Sequence, residues 1–251
     1  MVRKLGVRAL TLGLGCSFIL ISACSTNHEI RPRSVNDPHT NLVSEEQTDD
    51  PDLYFGDLGV EQQINAHRLR SLAAADPNKK ALVDPNGFPL VKQHPNPSLH
   101  PDKKTYVESA IKTAESYIGT PYVYGSDRTE PSTFDCSDYT RWVFLTALGM
   151  DLPWDSRSQA AYVKAFSKKT YTSLNQAKRG DLLFFSSYRG NRAADYANLT
   201  PADKTITHVG IYMGNGKIIH CPSKKSGGVH IGTLTWRQLD NRFIFGGTIL
   251  D

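Results

Sequence analysis

Cysteine is scarce in this chain of 251 residues: it has four, too few to staple a disulfide scaffold. Charge of one sign is also nearly absent, since 29 Lys and Arg against 25 Asp and Glu leave +4. That balance gives no case for nucleic acid as a partner. No apolar run long enough to span a membrane occurs beyond the first 25 residues, which excludes a multi-span helical membrane protein. Hydrophobic residues make up 39% and charged residues 22%, so wholesale disorder and a collagen-like repeat are excluded too. The length allows one domain with extras, or two small ones.

The first two dozen residues are an address. Arg3, Lys4 and Arg8 give a positive start, and Leu10 to Ile21 is apolar and uncharged. Ser22, Ala23 and Cys24 follow, which is the layout of a bacterial secretory signal. Leu20-Ile21-Ser22-Ala23-Cys24 resembles the lipobox of bacterial lipoproteins. The resemblance implies removal of residues 1–23 and S-acylation of Cys24 at the new N-terminus, which tethers the protein to a membrane face. The competing reading is a plain signal peptide or an N-terminal anchor with a chance cysteine. Cleavage removes three positive charges and takes +4 to +1. Ser25 points to the outer membrane, facing the periplasm, if the cell is Gram-negative. Otherwise the expected location is the outer face of the cytoplasmic membrane.

Residues 24–104 are expected to be a mostly disordered, lipid-anchored linker. Nine of the 14 prolines lie between Pro32 and Pro101, and Ser44 to Asp52 is polar and acidic. Such composition buries too little apolar area to offset ordering entropy. Val60 to Ala75 is the one stretch suited to a short helix, with Ile64, Leu69 and Leu72 as its apolar contacts. His67, His94 and His100 read as solvated. A small wall-binding domain is the alternative, but no series of alternating strands supports it.

From Thr105 the chain changes character. Val107, Ala110, Ile111, Ala114 and Ile118 recur at helical spacing before Gly119. Asp135 stands before an apolar stripe of Tyr139, Trp142, Val143, Leu145 and Leu148, so it is a candidate N-cap. Cys136 then falls in the first turn of a buried helix, where the helix dipole favours the nucleophilic thiolate. A free N–H at that helix start also suits an oxyanion. A lone buried cysteine is more often structural, so Cys136 alone would not decide the matter.

Gly180-Asp181 reads as a turn ahead of the buried strand Leu182 to Phe185. Thr207 to Met213 and Lys217 to Cys221 form a hairpin around Gly214-Asn215-Gly216. A three-residue loop pairs Met213 with Lys217 and His220 with Gly210. It puts His208 one diagonal away on the same face, whereas a two-residue loop separates the histidines. With the longer loop, His208 is placed to act as base beside Cys136, and His220 to orient it. Gly210 leaves room beside the rings.

Five ordered motifs carry a family resemblance: Tyr122-Val123-Tyr124-Gly125, Phe134-Asp135-Cys136-Ser137, Arg179 to Phe185, His208 to Tyr212, and Gly214 to His220. Over residues 105–251 the chain resembles the NlpC/P60 family of bacterial cell-wall cysteine peptidases. The resemblance implies a papain-like α+β fold, with N-terminal helices on a central antiparallel sheet of about five to six strands. It implies Cys136 as nucleophile, His208 as base, His220 as the polar third member, and Tyr122 lining the site. Asp135 and Ser137 match positions that hold the N-terminal side of the substrate. The implied substrate is the peptidoglycan stem peptide, cut between γ-D-glutamate and a diamino acid, by a monomer without a cofactor. The alternatives are an N-acetylmuramoyl-L-alanine amidase with the same thiol chemistry, or a wall-peptide-binding lipoprotein that does not cut. A zinc site at Cys136, His208 and His220 lacks a fourth ligand at characteristic spacing.

Some positions depart from the family pattern. Asp138 stands where Gly is frequent and adds negative charge near the thiol, with Arg141 as its candidate partner on one helix face. Ser126 replaces another Gly. Cys221 has the parity of the face opposite His220, so it is expected to be a core thiol rather than a disulfide partner of Cys136. The stretch 186–206 is a long loop, expected to form a rim that shapes access to the site.

Overall fold

The computed structural model describes residues 50–58, 82–99 and 105–250. Residues 1–23, Cys24 and the helix expected over Val60 to Ala75 lie outside the described residues.

Among the described residues, four α-helices precede the sheet. Helix α2, Tyr106–Ser116, starts where Thr105 accepts a hydrogen bond from the Glu108 amide, and it buries Ala110, Ile111 and Ala114. Helix α3, Cys136–Leu148, is capped by Asp135, which accepts from the amides of Ser137 and Asp138 at 3.1 and 2.9 Å. Two of the orphan donors of the first turn are thereby satisfied. Gly149 ends α3 at φ 67°. Helix α4, Ser156–Phe166, is capped by Asp155 through the Ser158 amide. A short helix α1, Pro51–Phe55, lies upstream, and α5, Leu239–Arg242, leads into the last strand.

The six strands are β1 Thr170–Tyr171, β2 Leu182–Ser186, β3 Ile206–Gly214, β4 Lys217–His220, β5 His230–Thr233 and β6 Phe243–Gly247. They form one sheet in the order β1-β6-β2-β3-β4-β5, antiparallel throughout. Helices followed by one antiparallel sheet of six strands are the expected α+β architecture. Every residue of β2 is buried, because both faces of the sheet are covered. Leu182, Phe184, Val209, Ile211 and Ile219 pack with Ile111 and Phe144 of the helices. Leu183, Phe185, Ile218 and Leu239 form a second cluster. That double cover explains why β2 reads as a continuous apolar run.

The β3–β4 hairpin corrects one expectation and keeps its consequence. Gly214 pairs with Lys217, so the loop is the two residues Asn215-Gly216. Both have positive φ, at 53° and 70°, as a tight primed turn requires. A bulge between Tyr212 and Gly214 then restores the register, with Tyr212 opposite Ile218 and Ile211 opposite Ile219. The body of the ladder is therefore the one that pairs His220 with Gly210. The bulge supplies the residue that the longer loop was expected to supply.

The upstream stretch departs from the expected tether in two places. Asn96 donates its amide to the Leu148 carbonyl at 2.8 Å, and the Gln93 amide donates to the Tyr162 hydroxyl at 2.7 Å. Leu53 is 2% exposed and Phe88 8%. Residues 50–58 and 82–99 thus pack on the domain through isolated apolar and backbone anchors, which composition averages conceal.

Candidate active site

Helix α3 and the β3–β4 hairpin bring the site together. Asp135 fixes the start of α3, so Cys136 occupies its first position, nearly inaccessible at 1% exposure. The Cys136 thiol donates to the Thr207 carbonyl at 3.8 Å, and the Val209 amide donates to its sulfur. The sulfur therefore sits against the two peptide groups that flank His208. His208 and His220 meet directly, Nε2 to Nδ1 at 2.9 Å, with ring centroids 5.1 Å apart. Gly210 makes this possible. A side chain there would lie 2.6 Å from Ile218 Cδ1 and 3.0 Å from His220 Cβ.

His220 is held on its other side by residues that the sequence reading missed. His230 and Trp236 stand edge-on to it, with centroids at 4.9 and 5.5 Å. His230 lies opposite His220 in the β4–β5 ladder. The β4–β5 connection carries no tight-turn signature, so its register was not readable from spacing.

The acidic side of the site is more crowded than expected. Asp135 uses one oxygen for the cap, and its other oxygen accepts from Arg128 at 2.6 Å. Asp138 does not pair with Arg141. It accepts from Ser126 at 2.7 Å and lies 3.5 Å from Arg128. Arg141 turns instead to Asp151, at 2.6 Å, and to the Arg128 carbonyl. Arg128 thus serves two carboxylates at once, which suits its fork of donors. Ser137 donates to Asp135 and to the Trp154 carbonyl. Tyr122 is 4% exposed and donates its hydroxyl to the Gly56 carbonyl at 3.2 Å.

A further carboxylate comes from upstream. Asp57, 1% exposed, accepts from the Ser156 amide and hydroxyl at 2.5 and 2.6 Å, at the start of α4. Sequence spacing gave no sign of it, since 99 residues separate the partners.

Burial dominates the electrostatics. It pushes the Cys136 thiol well above its ordinary value, and Asp57 and Asp135 push in the same direction. Burial holds His208 well below its ordinary value, helped by Arg242 and His230, so its imidazole is neutral. Burial raises the Asp57 and Asp138 carboxyls to about 7, despite the pull of Arg128 on Asp138.

Cys221 is a free, fully buried thiol that donates to the Phe134 carbonyl at 3.3 Å, on the face opposite His220. The 186–206 loop carries a short helical turn over Ala193–Tyr196, and its Tyr188 amide donates to the Leu53 carbonyl.

The sequence profile of the NlpC/P60 family matches residues 119–245, half of the chain, from just before Tyr122 into β6. The chain belongs to the NlpC/P60 family. Among curated relatives, it is 39% identical to probable endopeptidase p60 of Listeria monocytogenes over 110 residues, which cover 44% of this chain and 18% of that protein. The bifunctional muramidase/DL-endopeptidase CwlT of Bacillus subtilis is 36% identical, over 46% of this chain and 29% of its own. The γ-D-glutamyl-L-lysine dipeptidyl-peptidase of Bacillus subtilis is 34% identical, over 53% of this chain and 38% of its own. The chain thus spans well under half the length of each of these curated relatives. Among solved structures, the NlpC/p60 domain of peptidoglycan hydrolase SagA is 31% identical, with a TM-score of 0.42, over 57% of this chain and 97% of that domain.

Proposed function

We propose that this NlpC/P60 chain is a peptidoglycan hydrolase, a cysteine endopeptidase that cuts stem peptides between γ-D-glutamate and the diamino acid. One observation carries the reading: the His208–His220 hydrogen bond, held beside a thiol at a helix N-terminus. The names of its relatives, which include endopeptidases and a γ-D-glutamyl-L-lysine dipeptidyl-peptidase, support the substrate class.

In this reading His208 Nδ1 takes the proton of Cys136, while Nε2–H points to His220 Nδ1 and fixes the tautomer. The thiolate attacks the γ-carbonyl carbon of D-glutamate. The tetrahedral oxyanion lies near the N-terminus of α3. His208 then returns its proton to the leaving amine as the C–N bond breaks. Water, deprotonated by His208, hydrolyses the thioester and frees Cys136. Tyr122, Asp135 and Ser137 line the N-terminal side of the bound peptide. Cys24 carries the lipid that holds the enzyme, as a monomer, at the cell envelope.

Purified protein incubated with defined muropeptides should release products that mass spectrometry assigns to the γ-D-glutamyl bond. Cys136→Ala should abolish that release. Equal cleavage by the Ala variant would overturn the mechanism. Products cut at the lactyl–L-alanine amide would replace the endopeptidase reading with the amidase one. Binding without cleavage would leave a wall-peptide receptor.

A further inference from the structure

Three residues of the site are almost inaccessible: Cys136 at 1%, His208 at 4% and Tyr122 at 4%. A hydrolase that cuts wall peptides must bring a carbonyl carbon to the sulfur. The upstream segment of the same chain packs against these residues, through Tyr122 and the Thr207 carbonyl.

Residues 50–58 cross it on anchors from several separate elements. Ser223 donates its hydroxyl to Asp50 at 2.7 Å, and the Lys224 amide donates to Asp52 at 2.9 Å. The Tyr188 amide donates to the Leu53 carbonyl at 3.1 Å. Tyr122 holds the Gly56 carbonyl, and Ser156 holds the Asp57 carboxylate. The Asp57 amide donates to the Thr207 carbonyl at 3.3 Å, the same oxygen that receives the Cys136 thiol. Gly56 has φ +55°, and any side chain on it would collide with that Thr207 carbonyl. The segment therefore packs directly against the backbone that holds the Cys136 sulfur.

We propose that residues 50–58 are a built-in strap that closes the thiol site, and that Cys136 becomes reactive only when the strap lifts. The apolar part of the contact is small. Helix α1 has only five residues, and Phe55 on it is 49% exposed. Docking also brings the Asp57 carboxylate into the field of Asp135 and Asp155, with the Arg157 guanidinium acting on it in the opposite sense. While docked, Asp57 further discourages thiolate formation at Cys136.

The strap deepens the peptidase reading, but its first test needs no turnover. Full-length Gly56→Val and Leu53→Lys are compared with the unaltered chain in the rate of Cys136 alkylation by iodoacetamide. Peptide mapping separates Cys136 from the other cysteines. Each variant loses a docking contact and should alkylate Cys136 about tenfold faster or more. Its main melting transition by circular dichroism should stay close to that of the unaltered chain. An unchanged rate in both overturns the strap. A second measurement uses the unaltered sequence: once Cys136 carries the carboxamidomethyl group, hydrogen exchange in peptides covering 50–58 should accelerate. Unchanged protection there also overturns it. Faster alkylation without muropeptide cleavage keeps the strap and removes the peptidase reading. Cleavage lost in Cys136→Ala, with alkylation unchanged in the strap variants, does the reverse.

Discussion

His220 Nδ1 lies 2.9 Å from His208 Nε2, while the other nitrogen of His220 is buried with no hydrogen-bond partner among the described residues. Its surroundings there are the rings of His230 and Trp236, so an N–H at Nε2 faces aromatic surface. This favours the tautomer in which Nδ1 is the acceptor, the one that leaves His208 Nδ1 open to the thiol.

Replacing His220 by Ala should therefore lower kcat on a muropeptide by about 10²-fold, with little change in KM, because the imidazole of His208 loses its orienter. His220→Asn should recover part of the loss, since an amide oxygen can still accept. Steady-state kinetics on the two variants checks this. An Ala variant as fast as the unaltered enzyme would remove His220 from the mechanism.

Gly210→Ala should act through His220 without touching substrate. The added methyl meets Ile218 and the His220 Cβ, so the ring must shift. A displacement of the order of 1 Å costs about 10²-fold in rate. The expected result is a lower kcat, an unchanged KM and a melting temperature only slightly reduced.

Arg128→Met should destabilise the fold by about 3–5 kcal/mol, because it leaves Asp135 and Asp138 buried without their counter-ion. Chemical denaturation measures this. Adding Asp138→Asn to Arg128→Met should restore part of the loss, because one uncompensated charge is then gone.

Asp138→Asn alone should show its effect through pH. Folding raises the Asp138 carboxyl from 3.8 to about 7, so the folded state holds the proton more tightly. Its contribution is full below about pH 4 and is lost as pH rises towards 7. Denaturation curves at pH 4.5 and 7.5 should therefore show the Asn variant gaining on the unaltered chain at the higher pH.

Much of this site was legible because its motifs are local. Asp135 and Cys136 are adjacent, and a capping residue followed by an apolar stripe fixes where α3 begins. His208 and His220 are twelve apart, and a tight hairpin constrains such a pair to few registers. The bulge at Met213 escaped because Gly214-Asn215-Gly216 admits both a three-residue loop and a two-residue turn with an extra residue in the strand. Arg128 was missed because its carboxylates lie across an irregular turn, where no period relates them. Asp57 was missed for a different reason. Its segment is proline-rich and acidic on average, while its docking depends on one buried leucine, one glycine and one carboxylate.

The strap also has a mechanical consequence if Cys24 is the lipid attachment point. At 3.3–3.6 Å per residue, the chain from Cys24 to Asp50 reaches at most about 90 Å. With the strap lifted and residues 82–99 still docked, the leash runs from Cys24 to Leu82 and its limit becomes about 200 Å. Opening the thiol site would then more than double the radius of wall that one anchored molecule can search, so exposure of the nucleophile and access to distant wall layers would arrive together.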